Sequence, residues 1–324
     1  MNWKYRLFAV LAAGAAAAFS LLAQEDGFSP VFLADPYIMY EDGVYYAYGT
    51  KNPNGIEVYK SEDLHDWTGP CGLAEGKLAL HKDDSWGESR FWAPEVYKIG
   101  DRYVMTYSVE ARIAIAFSDS PLGPFRQEAE GVYTPDQNSI DSHIFIDDDG
   151  QAYMYWVRFG LGKGNEIRVS KLSGDLTSLV GEQIECLHSQ PGTWEVVDSK
   201  DRVAEGPFVI KHEGKYYLTY SCNHFQSQDY AVGYAVSDSP LGPWVRNPDN
   251  PILRRHGDSV GTGHHSFIVS DPDHKFMVYH AHKSLQKVGP RRMLISPYMF
   301  VENENGPDRL VIDSKVIVPK IKRQ

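Results

Sequence analysis

An all-β, single-domain, five-bladed β-propeller is the fold class this sequence predicts, on three observations. The 324 residues include 28 Gly, 19 Pro and 13% aromatic residues, 20 of them Tyr, a composition that favours strands and tight turns over long helices. A hairpin signal, a turn rich in Asp and Gly leading into alternating aromatic and aliphatic residues, recurs five times. A polar residue recurs just upstream of each copy.

The elements follow in chain order. Lys4 and Arg6 precede an apolar run, Leu7 to Ala23, that ends in small residues before Gln24 and Glu25; residues 1–23 read as a secretory signal peptide rather than an uncleaved anchor. The remainder, residues 27–324, is read as one domain that is secreted or periplasmic, with no membrane association after signal cleavage. The hairpin copies are Asp42–Tyr48, Gly100–Tyr107, Asp149–Tyr155, Glu213–Tyr220 and Asp273–Tyr279. Further strands follow four of them, beginning at Ile56, Ile113, Ile167 and Tyr234, and Ser-Asp-Ser-Pro-Leu-Gly-Pro occurs verbatim at 118–124 and 237–243. Units of about 60 residues suffice for four-stranded blades with generous loops. The last strands, near Ser296–Val301 and Leu310–Val318, are candidates for closing the ring against the amino-terminal segment.

Charge and cysteine content bound the function. A formal charge of −11 with no Lys/Arg-rich run argues against a nucleic-acid partner, which needs clustered positive charge to displace counterions. A neutral or cationic ligand fits better. Cys71, Cys186 and Cys222 allow at most one bridge and have no zinc-ligand spacing, so each reads as a small buried hydrophobe.

The innermost strand of a propeller blade faces the central channel, so the polar residues upstream of each hairpin, Asp35, Glu95, Asp141, Glu205 and His264, are expected at equivalent places around one mouth. Three or four carboxylates in one small cavity cannot all ionise freely, and burial and repulsion drive their pKa values apart. A proton donor and a proton acceptor flanking an acetal is the arrangement that hydrolyses a glycosidic bond.

The motifs carrying these residues are Ala34-Asp35-Pro36, Phe91-Trp-Ala-Pro-Glu95, Ile140-Asp141, Glu205-Gly-Pro207 and Gly261-Thr-Gly-His264. In order and spacing they resemble glycoside hydrolase family 43, the five-bladed propellers of the arabinofuranosidase and xylosidase group. The resemblance implies an inverting glycoside hydrolase with Asp35 as general base, Glu205 as general acid and Asp141 as the carboxylate that raises and orients the acid. It implies that Trp92 packs on the sugar, that Arg292 reaches the substrate in preference to its neighbour Arg291, and that His264 approaches a channel cation, Ca²⁺, structural or auxiliary. No organic cofactor is implied.

An exo-acting α-L-arabinofuranosidase on oligosaccharides or polysaccharide side chains is the favoured activity. A β-D-xylosidase, a galactan- or galactofuranoside-active hydrolase, and a catalytically inactive sugar-binding propeller are the alternatives. The Trp-Met-Asn-Asp-Pro start and blade-start Glu-Cys motif of the retaining invertases are absent. Glu95 reads as a structural partner or sugar hydroxyl acceptor, His143 and His265 as core histidines, and Asp147–Gly150 as a hairpin turn rather than a calcium loop. Trp86, Trp156, Trp194 and Phe225 are candidates for stacking on sugar, with core packing as the default.

Overall fold

The computed structural model describes residues 27–127, 133–134, 138–160, 162–198, 200 and 202–323; the segment read as a signal peptide lies outside them. The five hairpin signals become five antiparallel sheets in which the aromatic-rich strand after each turn is the second of its blade. Blade 1 comprises Ala34–Glu41, Val44–Asn52, Gly55–Ser61 and Leu78–His81. Blade 2 comprises Trp92–Ile99, Arg102–Val109 and Arg112–Ser118, extended by a bridge from Phe117 to Arg126. Blade 3 comprises Ser139–Ile146, Ala152–Arg158, Glu166–Leu172 and Leu179–His188, and blade 4 comprises Ala204–His212, Lys215–Cys222, Ala231–Ser237 and Val245–Arg246. Blade 5 comprises Gly263–Phe267, Phe276–Ala281, Arg292–Val301 and Arg309–Ile312. Each first strand packs against the first strand of the next blade, and that of blade 5 against that of blade 1, so the ring closes around a channel.

The alternating Tyr positions explain how blades adhere. Tyr48, Tyr107, Tyr155, Tyr220 and Tyr279, all on second strands, are fully buried, presenting broad apolar faces whose hydroxyls still need partners. The repeated Ser-Asp-Ser-Pro-Leu-Gly-Pro segment supplies two of them: the hydroxyl of Tyr48 donates to the Pro121 carbonyl, and that of Tyr155 to the Pro240 carbonyl, each at 2.5 Å. One turn, built twice, thus ties blade 1 to blade 2 and blade 3 to blade 4. The Asp147–Gly150 run forms a hairpin turn, as expected, with the Gly150 N–H donating to the Asp147 carbonyl. All three cysteines are free thiols, and Cys222 is buried.

Ring closure goes beyond the expectation: the blade 5 strand does meet the amino-terminal segment, Arg292 bridging Phe32 and the Met293 N–H donating to the Val31 carbonyl, but a later strand adds to it. Ser296–Val301 and Leu310–Ile312 are outer strands of blade 5, and the seal is made further on, where Lys320–Lys322 pairs antiparallel with Phe28–Pro30 and parallel with Asp66–Trp67. Ile317 contributes a bridge to Ile295. This segment is short and lacks an aromatic, so strand signals in the sequence pass it over.

The first strands share one irregularity. Their ladders slip at Ala34/Tyr37, Trp92/Glu95, Ile140/His143, Glu205/Phe208 and Gly263/Ser266, so two residues bulge out at the same level of every blade.

Truncation after Pro319 removes the sealing strand and its backbone hydrogen bonds. At roughly 1 kcal/mol each, their loss should lower unfolding free energy by about 3 kcal/mol, read as a lower denaturant midpoint; an unchanged midpoint would show that the ring holds without the seal.

Candidate active site

The five bulges bring Asp35, Ala93, Asp141, Gly206 and His264 to equivalent places at one mouth of the channel, all with positive φ, at 49°, 44°, 56°, 56° and 43°. Non-glycine residues rarely adopt such angles, and where they persist the surrounding structure holds them. At Gly206 a Cβ would lie 3.3 Å from the His264 ring, so only glycine leaves that contact relaxed.

A bulge withdraws an N–H from the ladder, and a buried N–H needs an acceptor. Four of the five are met by a side chain on the second strand of the preceding blade. The Ala93 N–H donates to Thr50 Oγ1 at 2.9 Å, that of Asp141 to Ser108 Oγ at 3.0 Å, that of His264 to Ser221 Oγ at 2.9 Å and that of Asp35 to His280 Nδ1 at 3.2 Å. In blade 3 the corresponding residue is Val157, paired with Ile140, which accepts nothing. The Gly206 N–H donates instead to Asp141 Oδ2 at 3.3 Å.

The expectation of five equivalent polar residues is corrected by this register. Asp35, Asp141 and His264 are equivalent. Glu205 lies one residue earlier, level with Trp92, and Glu95 lies two residues past the bulge position. The signal was in the sequence: Pro36, Pro94 and Pro207 align Asp35 with Ala93 and Gly206, not with Glu95 and Glu205.

Asp35 is nine-tenths buried and ion-paired: Arg291 Nη1 donates to its Oδ1 at 2.7 Å and Nη2 to its Oδ2 at 3.3 Å. His264 Nδ1 and His280 Nδ1 each lie 3.3 Å from Oδ1. Burial alone would raise its pKa, but Arg291 and the two imidazoles outweigh it and hold the carboxyl well below the usual range. Asp35 is therefore ionised. His280, desolvated and facing Arg291, is pushed down to about 3 and is neutral.

Arg291, not Arg292, takes this place. Arg292 begins its strand, bridges to Phe32, and turns its guanidinium to the His282 carbonyl and Ser259 Oγ, each at 3.0 Å. Adjacent side chains along an extended chain face opposite ways, which leaves Arg291 on the channel side.

Glu205 and Asp141 form the second centre. Burial raises the pKa of Glu205 to about 7, with the Asp35 charge adding to it, against the hydrogen bond from the Tyr230 hydroxyl to Oε1 at 2.8 Å and the charge of Arg291. Burial and then the charges of Glu205 and Asp35 raise Asp141 well above the carboxylate range. Both carboxyls are thus pushed towards the protonated form, and the Asp141 shift is in part the charge of Glu205. Tyr230, unmarked by any sequence motif, lies under Glu205 and stacks on His280 at 5.6 Å and 12°.

The remaining residues sort by partner. Glu95 bonds His143 Nδ1 at 2.9 Å and the Tyr97 hydroxyl, a structural network. His265 is buried against Thr219 at 2.6 Å. Trp156 is core and Trp194 stacks on Tyr220. Trp92 carries the Arg90 guanidinium 6.0 Å from its ring, Trp86 that of Arg112 at 4.8 Å, and Phe225 that of Arg291 at 4.7 Å. The cleft has Asp35, Ala93, Glu95, Asp141, Gly206 and His264 in its wall. Among the described residues the one trio of imidazole and carboxylate groups within shared ligation reach is Glu75, His81 and Asp83, outside the channel.

The chain matches the family model "Glycosyl hydrolases family 43" over residues 27–304. It is 29% identical to xylosidase/arabinosidase 43A of Humicola insolens, covering 74% of this chain and 84% of that one. It is 28% identical to an extracellular exo-α-(1→5)-L-arabinofuranosidase of Streptomyces chartreusis, covering 79% and 82%. A crystal structure titled endo-1,4-beta-xylanase, from Bacteroides thetaiotaomicron, superposes with a TM-score of 0.82 at 37% identity, covering 91% and 98%.

Removing Arg291 leaves a buried charge on Asp35. Arg291→Ala should cost roughly 3 kcal/mol at pH 7, more than Arg292→Ala. Because Arg291 lowers the folded-state pKa of Asp35, its stabilisation exists above the unfolded carboxyl range and is lost as pH falls through the folded value. Denaturant titrations should show the deficit narrowing in acid; a deficit independent of pH would dissociate Arg291 from Asp35.

Proposed function

The chain belongs to glycosyl hydrolase family 43, and we propose that this member is an exo-acting α-L-arabinofuranosidase in which Asp35 activates water and Glu205 protonates the leaving oxygen. Members of the family are glycosidases that cleave O-glycosyl bonds with inversion. The observation that carries the assignment of roles is the division of charge: Asp35 is ion-paired to Arg291 at 2.7 Å, while Glu205 and Asp141 face each other desolvated. A base must be ionised and an acid protonated at the same pH, and these surroundings favour that split.

Each residue's task follows from its surroundings. Asp35, held from behind by Arg291 and His280, accepts a proton from the attacking water. Glu205 gives its proton to the departing oxygen, and Asp141, ionised in the active form, keeps that proton on Glu205 by like-charge repulsion. The two act from blades 1 and 4, with blade 5 between them, which leaves room for the water that inversion requires, roughly 6.5–9.5 Å between carboxyls. Trp92, level with Glu205, is proposed to pack on the sugar face. The substrate-binding arginine is proposed to be Arg291, through its place beside Asp35. A hydrated Ca²⁺ near His264 would add positive charge at the mouth.

The relative named an extracellular exo-α-(1→5)-L-arabinofuranosidase supports exo action. The arabinofuranosidase relative supports the glycone, and the xylosidase/arabinosidase relative supports β-D-xylosides as the second reading. The apolar run before residue 24 and a relative named extracellular support export.

A panel of 4-nitrophenyl α-L-arabinofuranoside, β-D-xyloside and β-D-galactofuranoside tests the glycone, the arabinofuranoside being the expected best substrate by kcat/KM; a faster xyloside would transfer the assignment. Glu205→Gln should lose on the order of a thousandfold or more on unactivated oligosaccharides while keeping much of its rate on good leaving groups. Asp35→Asn should be inactive on both, because water activation is needed with any leaving group. The reverse pattern would exchange the roles.

A further inference from the structure

We propose that Val157 is a positioning residue for the acid: by presenting no acceptor to the bulge of blade 4, it recruits the Asp141 carboxylate to the Gly206 N–H and so fixes Asp141 beside Glu205. The inference rests on the reading of Glu205 as the acid.

The argument is one of exception. Thr50, Ser108, Ser221 and His280 stand opposite Ala34, Trp92, Glu205 and Gly263 in their ladders, one position repeated on four blades. Each side chain there accepts the bulge N–H of the following blade. Val157 holds the fifth position, opposite Ile140, and is fully buried. A hydroxyl there would satisfy the Gly206 N–H as Thr50 satisfies that of Ala93, and Asp141 would be free to turn elsewhere. With valine, the N–H has Asp141 Oδ2 as its partner, at 3.3 Å. The one blade boundary lacking the ordinary acceptor is thus the one that joins the two carboxyls pushed towards protonation.

Hydrogen bonding to the N–H also favours the ionised form of Asp141. The charged groups facing Asp141 are Glu205 on blade 4, with Asp35 of blade 1 and Arg291 of blade 5 across the channel; Glu95 of the neighbouring blade 2 is engaged by His143. Among these the Gly206 N–H and Arg291 oppose protonation of Asp141. Without the N–H, the proton moves from Glu205 towards Asp141, where it protonates no leaving group.

The test is Val157→Thr, nearly isosteric with the wild-type side chain, and Val157→Ala, which changes volume and adds no acceptor. The Thr variant should lose about tenfold in plateau kcat/KM on a substrate with a poor leaving group, the effect of a charge-assisted hydrogen bond on a protonation equilibrium. Its pH–rate limbs should move to higher pH, and its rate on an activated leaving group should stay near wild type. The Ala variant should keep the wild-type limbs. Val157→Ser repeats the test with a smaller hydroxyl where the Thr variant does not fold, and Thr50→Val, which strips an ordinary acceptor, should leave the limbs in place. Unmoved limbs in the hydroxyl variants, or equal movement in the Ala variant, would overturn the proposal. Glu205→Gln measured alongside separates the two levels: if it retains turnover on poor leaving groups the reading of the acid has failed, whereas an inactive Glu205→Gln with unmoved limbs in the hydroxyl variants refutes only the role of Val157.

Discussion

A two-residue bulge at the head of each first strand is the constraint on which the site depends. It turns five backbone N–H groups out of their ladders at one level of the channel, and each must find an acceptor. Meeting that demand across blade boundaries locks neighbouring blades in register and presents the bulged side chains to the mouth. Two of the five bulges carry aspartates, one carries a histidine, and two carry small residues, Ala93 and Gly206, the latter packed against the His264 ring. Positive φ at Asp35, Asp141 and His264 costs free energy, and the ring retains it because every bulge is tied to two blades.

The electrostatics follow from that placement. All three carboxyls are desolvated, so burial alone would protonate each of them. Arg291 decides the outcome for Asp35, which stays charged. Among the described residues no cation pairs directly with Glu205 or Asp141, which are opposed only by the more distant charge of Arg291 and by single hydrogen bonds from Tyr230 and Gly206. One cation placed on the blade 1 side of the mouth therefore separates a carboxyl held ionised from two pushed towards protonation within a single cleft.

Much of this was legible in the sequence, and the failures were specific. The hairpin repeat is visible because its period, turn residues and aromatic alternation are local, and the blades were read correctly from it. The carboxylates were found by position relative to that repeat. Their register was misjudged by a residue at Glu205 and two at Glu95, because charge was aligned in place of the proline that follows three of the bulges. That Arg291 and not Arg292 lies beside Asp35 was hidden for a related reason: which of two adjacent side chains faces the channel depends on where the strand begins. His280 and Tyr230 carry no local signature, since their importance comes from stacking on each other and bonding Asp35 and Glu205 across long sequence separations. The Lys320–Lys322 seal is an ordinary polar stretch until its two partners are brought beside it.

The division of roles between Asp35 and Glu205 is tested most directly by proton NMR of hydrolysis in its first minutes, on whichever glycoside the enzyme turns over best. Water activated by an ionised Asp35 attacks from the face opposite the departing oxygen, so the first sugar anomer to appear should be inverted relative to the substrate, with the other anomer growing in only by mutarotation. A first-formed anomer of retained configuration would make one of these carboxylates a nucleophile and contradict the account.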